Sequence, residues 1–157
     1  MTSRFRVTLL GTGTPIPVPE RFGPSTLIEA SDQTILVDAG RGAAIRMFQL
    51  GVPIGKIDAL LLTHFHSDHT VGIPDLWLTG WLSSYFGARQ GPFNVIGPVG
   101  TGVLMQHLEA AYRHDIEIRV AEKIPKGPNP KKHRMPRSRF SGPEANDVNP
   151  VHRFSVQ

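Results

Sequence analysis

Between positions 63 and 70 the chain reads Thr63-His64-Phe65-His66-Ser67-Asp68-His69-Thr70, which gathers three imidazoles and a carboxylate into six residues. Neutral imidazole nitrogen and carboxylate oxygen are the donors that a borderline Lewis acid such as zinc prefers. The spacing H-x-H-x-D-H is far more specific than a lone histidine pair. A polar turn after a strand would need neither three histidines nor the aspartate at these positions. The run Ala59 to Leu62 that leads into the cluster is short and apolar, as a buried strand is. At a strand's end, His64 and His66 lie two residues apart and project to the same side. Asp68 and His69 come next as the chain turns, so four metal-capable side chains converge.

Positioning such a cluster requires a scaffold, and the hydrophobic pattern supplies one. Arg4 to Leu10 alternates as a strand, and Gly11 to Pro19 is a loop punctuated by Gly and Pro. Ser25 to Ala30 and Gln33 to Asp38 read as a hairpin turning at Ser31-Asp32. Arg41 to Leu50 carries a broad apolar helical stripe that Gly51 ends. Asp58 to Thr63 is the strand before the cluster, and Ile73 to Phe86 has helical spacing. Phe93 to Ile96 is a strand, Gly100 to His114 a helix, and Ile116 to Val120 alternates as another strand. This order predicts an α/β layer.

Other candidates have plainer readings. Gly11-Thr12-Gly13-Thr14-Pro15-Ile16 lacks the third glycine and the ensuing helix of a dinucleotide loop. Arg21 and Ser25 are near enough in sequence to line a cleft. Trp77 and Trp81, four apart, read as core packing. Asp38, between an apolar strand and Ala39-Gly40, has two readings. It either accepts a hydrogen bond from a ligating histidine or caps the helix starting near Arg41.

The 157 residues fit one domain with a real core, and the absence of cysteine excludes disulfides and thiolate ligands. No run approaches the ~20 apolar residues of a membrane helix, and the first residues lack the apolar core of a signal peptide, so a cytoplasmic protein away from membranes is expected. The sequence pI near 9.9 would suggest nucleic acid, but the charge is uneven. Residues 1–122 have 9 Lys or Arg against 11 Asp or Glu; residues 123–157 have 8 against 2. A nearly neutral domain, 1–122, is thus joined to a basic tail, 123–157, with six prolines and no apolar periodicity. Disorder is expected there.

Three segments together resemble the ribonuclease Z branch of the metallo-β-lactamase-fold hydrolases. They are Leu10-Gly11-Thr12-Gly13-Thr14-Pro15, Leu36-Val37-Asp38-Ala39-Gly40, and Leu61 to His69. An arylsulfatase-like group is a near relative of that branch, and Thr70 to Leu78 is similar to the segment directly after the motif in that group. The resemblance covers about residues 4 to 122. It implies the N-terminal half of an αββα sandwich. It also implies two zinc ions, His64 and His66 holding one, Asp68 and His69 the other. Asp68 would be catalytic too, orienting the attacking hydroxide, with Asp38 behind a ligating histidine.

Four side chains supply about half the ligands that two ions need, so at most one weakly held ion is expected. The family takes its remaining histidines and bridging aspartate from later segments. Here His107, His114, His133 and His152 remain, without the family's context, and neither Glu144 nor Asp147 matches the aspartate pattern. The implied activity is phosphodiester hydrolysis, typically 3′-trailer removal from precursor tRNA, truncated and impaired in this chain. The alternatives are hydrolysis of a small phosphate or sulfate ester, and a non-catalytic fragment; the basic tail could also serve RNA binding. Half a sandwich should leave Leu60, Leu62 and Phe93 or their neighbours partly exposed, favouring a homo-oligomer.

Overall fold

The structure, a computed structural model, describes residues 5–123 and 152–156. A six-stranded sheet runs in sequence order through β1 (Phe5–Gly11), β2 (Ser25–Ala30), β3 (Gln33–Val37), β4 (Ala59–Leu61), β5 (Phe93–Gly97) and β6 (His152–Val156). Strands β1 to β3 form an antiparallel meander, β3, β4 and β5 are parallel, and β6 returns antiparallel to β5. The helices are α1 (Ala43–Gln49), α2 (Ser67–Thr70), α3 (Ile73–Gly80), α4 (Thr101–Ala111) and α5 (Arg113–Lys123). The mixed α/β layer expected from the sequence is present.

One face of the sheet is covered. Leu10, Leu27, Leu36, Leu60, Phe93 and Val95 point into a core completed by Met47, Ile73, Leu76, Trp77 and Met105 from the helices. Each leucine fully buried there contributes about 2 kcal/mol relative to exposure. Trp77 is buried, and Trp81 packs against the same core with ring centroids 6.5 Å apart, as the core reading requires. The hairpin turns where expected, with Ser31 in the left-handed region at φ 56°. Helix α1 ends as its glycine dictates. Gly51, at φ 68°, lets its own N–H reach Phe48 O while the Val52 N–H reaches Met47 O.

Four expectations are corrected. Leu60, Leu62 and Phe93 are buried, at 0%, 5% and 1% exposure. The open face belongs to the other register, because the side-chain period of two sends Leu61, not Leu60, to the side that no helix among the described residues covers. Ile116 to Val120 is helical: Ile116 is buried, Val120 packs against the core, and Ile118 between them is 47% exposed. Both a period of two and an i, i+4 pair fit those positions, and the Asp115–Arg119 bond of 2.6 Å also supports the helix.

The helix from Ile73 stops at Gly80 rather than Phe86. Its last turn is closed by Arg89, whose guanidinium donates to Ile54 O and Trp77 O and lies 4.4 Å from the Phe93 ring centroid. Within the tail, 152–156 form β6; the expectation of disorder for 124–151 and 157 falls outside the described residues. Helix α5 runs to Lys123.

Candidate metal centre

The cluster sits where the parallel strands end. After Leu61 the chain leaves β4, and the Thr63 N–H donates to the Asp38 carboxylate at 2.8 Å. Asp38 is the first residue beyond β3 and takes the left-handed conformation at φ 59°. That turn aims its buried carboxylate back across the strand ends. Backbone bonds hold the loop there: Asp38 N–H to Leu61 O, Ala39 N–H to His69 O, and Gly72 N–H to Ala39 O.

Asp38 organises two of the three histidines. His69 Nδ1 lies 2.8 Å from Asp38 Oδ2, and Thr63 Oγ1 lies 2.8 and 3.0 Å from the two carboxylate oxygens. The same hydroxyl is 2.9 Å from His64 Nδ1, and His64 Nε2 is 2.9 Å from His66 Nδ1. A hydroxyl has one proton. Donated to the carboxylate, it leaves the oxygen to accept from His64 Nδ1–H, so the lone pair of His64 is on Nε2. That nitrogen accepts from His66 Nδ1–H, and His69 donates its own Nδ1–H to Asp38. The hydrogen-bond pattern thereby assigns one tautomer to all three rings, each with its lone pair on Nε2.

Helix α2 places the rest. His66 is its N-cap residue, and the His66 carbonyl accepts from the His69 N–H and the Thr70 hydroxyl. Asp68, in the first turn, is 5% exposed, with Oδ2 3.7 Å from His69 Nε2. The His64 ring lies 4.1 Å from His69 and 4.6 Å from His66, between centroids.

The structure therefore brings together all five residues the sequence singled out: His64, His66, Asp68, His69 and Asp38. The cap reading of Asp38 fails, since the N-cap of α1 is Gly42. His107 and His114 are exposed on α4 and α5. His133 lies outside the described residues, and His152 begins β6 opposite Gly97. The Ser25 hydroxyl does not line a cleft; it is buried on the Gly23 carbonyl at 3.3 Å. Sequence reasoning missed Thr63, although a hydroxyl residue directly before the first histidine, at a strand's end, was the available sign.

The donor set suits zinc, and its arrangement is incomplete. Among the described residues no three His, Asp or Glu side chains are already spaced to hold one ion. His66 is turned onto His64, so the Nε2 lone pair of His64 is occupied by a neighbouring N–H. Releasing that one hydrogen bond frees it. The residues thus fit a metal in chemistry.

Helices on one side of a mixed sheet, with imidazoles and carboxylates gathered where its parallel strands end, define the metal-dependent hydrolases of one large class. Residues 18–93 match the metallo-beta-lactamase superfamily, and this part of the chain belongs to it. Within it the chain resembles ribonuclease Z. It is 46% identical over 115 residues to the ribonuclease Z of Mycobacterium bovis (strain BCG / Pasteur 1173P2), covering 73% of this chain and 41% of the relative. The Mycobacterium avium (strain 104) ribonuclease Z is 49% identical over 115 residues, with the same coverage. The crystal structure of human tRNase Z, short form, aligns with a TM-score of 0.60 at 29% identity, covering 68% of this chain and 39% of that one. The chain spans about two fifths of the length of these curated relatives.

Proposed function

We propose that this chain is the metal-binding part of a zinc-dependent phosphodiesterase of the ribonuclease Z type, with the 3′ end of precursor tRNA as its substrate class and the cytoplasm as its compartment. The observation that carries the reading is the hydrogen-bond chain Asp38–Thr63–His64, with its branch from Asp38 to His69. An orienting carboxylate behind His64 and His69 fixes their Nε2 lone pairs for metal. In this reading His64 and His66 hold one ion, Asp68 and His69 the other. When bound, zinc supplies Lewis acidity at the phosphoryl oxygens and lowers the pKa of water towards neutrality. Asp68, buried beside His69, holds the proton-accepting position that aligns the attacking water with the phosphorus.

Two side chains per ion fall short of the three that catalytic zinc sites draw from protein. The reading is therefore of a truncated and impaired hydrolase. Isothermal titration of the chelator-treated chain should show at most one zinc ion, held at about micromolar affinity or weaker, and none in His66→Ala. Two ions retained through dialysis would overturn the incompleteness. Turnover of aryl sulfates exceeding that of aryl phosphodiesters would move the assignment to the small-ester branch, and no metal binding at all would reduce the chain to a non-catalytic fragment.

A further inference from the structure

Residues 63–70 include three hydroxyl side chains, those of Thr63, Ser67 and Thr70. Two of them are committed inside the fold. Thr63 Oγ1 is held between the Asp38 carboxylate and His64, and the Thr70 hydroxyl donates to the carbonyl of His66, four residues back. Ser67 differs: it is exposed, and among the described residues its side chain has no hydrogen-bond partner. Its place in the chain accounts for this. As the first residue of α2, it has no carbonyl of its own helix four residues back to bond to. Its backbone is fixed all the same, because its carbonyl accepts the Val71 N–H at 2.9 Å.

We propose that the Ser67 hydroxyl contacts the substrate, donating a hydrogen bond to a non-bridging oxygen of the phosphodiester. The inference rests on the functional reading above, in which His66 holds one ion and Asp68 the other. Ser67 lies between those two residues on the chain. A phosphoryl group reaching both positions therefore meets a fixed backbone that carries an uncommitted donor.

Electrostatics gives such a donor a purpose. Asp38 and Asp68 are both buried at the cluster, and their carboxylates repel an incoming anion. A hydroxyl offers that anion a proton without displacing a metal ligand. Hydrogen bonds to a charged acceptor are roughly twice as strong as neutral ones. A donor already in place also needs no reorganisation as charge develops on the phosphoryl oxygens.

The chain is expected to turn over little substrate, so binding can be measured at equilibrium. The experiment titrates a bis-aryl phosphodiester into the 157-residue chain with and without zinc, followed by phosphorus NMR, alongside zinc calorimetry. The difference made by zinc removes any binding by the basic residues 123–157 alone. Ser67→Ala should weaken the zinc-dependent binding about tenfold, the loss of one hydrogen bond to a charged group. Ser67→Thr, which keeps the hydroxyl, should restore most of it, and zinc affinity should be the same in all three proteins. Zinc-dependent binding that Ser67→Ala leaves unchanged would overturn the proposal and leave the phosphodiesterase reading standing. So would a loss that threonine does not restore, or one accompanied by weaker zinc binding, since either marks a structural role. A parent chain with no zinc-dependent phosphodiester binding would count against the functional reading itself, and this contact would fall with it.

Discussion

At the scale of single residues, Asp38 and Thr63 do the positioning and the histidines provide the donors. Thr63 touches no metal in the proposed arrangement, yet its hydroxyl links the carboxylate to His64. Thr63→Val keeps the volume and removes the link. Zinc affinity should fall about 10- to 100-fold, while Thr63→Ser restores most of it. Calorimetric titration of both variants separates this from a packing effect, which serine would not rescue. Arg89 presents the opposite case, a cation buried for structure. Burial lowers its pKa to about 10, and among the described residues its Nε has no hydrogen-bond partner. The folded-state value lies below the unfolded one, so burying the charge opposes folding, by up to about 3 kcal/mol. That cost is full well below pH 10 and is relieved only as pH rises above about 10. Two carbonyl acceptors and the Phe93 face offset it, and an ammonium cannot engage all three. Arg89→Lys should therefore lose about 1–2 kcal/mol in urea unfolding at pH 6. A variant as stable there as the parent would contradict the assignment.

At the scale of elements, the site depends on two loops locked together at the strand ends. A Cβ on Gly72 would lie 2.7 Å from Gly40 O and 2.9 Å from Ala39 O, on the loop that carries Asp38. Gly72→Ala must push that loop away. It should cost about 1–3 kcal/mol and weaken zinc binding in parallel, measured by thermal unfolding and titration on one preparation. Much of this architecture was legible in the sequence. The hairpin, α1 with its terminal Gly51, the strand before the cluster and the ligand motif all combine local chemistry with clear periodicity. Ile116 to Val120 was not, because three apolar residues spaced by two satisfy strand and helix templates alike, and packing of Ile116 into the core decides between them. The end of α3 was hidden for a different reason. Apolar residues continue through Phe86, and only the arrival of Arg89 against Gly80, a tertiary contact, shows where the helix stops. Strand β6 had no pattern to announce it, being five residues in a proline- and arginine-rich stretch, and it gains its place by pairing with β5. The open face was expected on physical grounds at Leu60, Leu62 and Phe93 or their neighbours, and the period of two gives it to the neighbours, Leu61 among them.

At the scale of the whole molecule, the proposed donor set offers two side chains per ion, and the chain spans about two fifths of its relatives' length. Among the described residues no helix is long and apolar enough to cross a membrane. Hydrolysis at a phosphodiester needs the water both activated and placed, and misplacement by about 1 Å can cost about 100-fold in rate. In the proposed arrangement, with two side chains per ion, neither requirement is met. The 157-residue chain should thus show little or no turnover of precursor tRNA or bis-aryl phosphodiesters, even with zinc or manganese added. Joining its matched region to the remainder of the Mycobacterium bovis ribonuclease Z supplies residues to complete the ligand set, and to cover the sheet if that remainder packs there. The chimera should gain at least about 100-fold in phosphodiesterase rate over the short chain, and His66→Ala should abolish the gain. The measurement is single-turnover cleavage of a precursor tRNA transcript, with zinc content determined in the same samples. A chimera that binds two zinc ions and stays inactive would place the defect in substrate recognition. A short chain as active as the chimera, and silenced by His66→Ala, would show that this chain already completes the site.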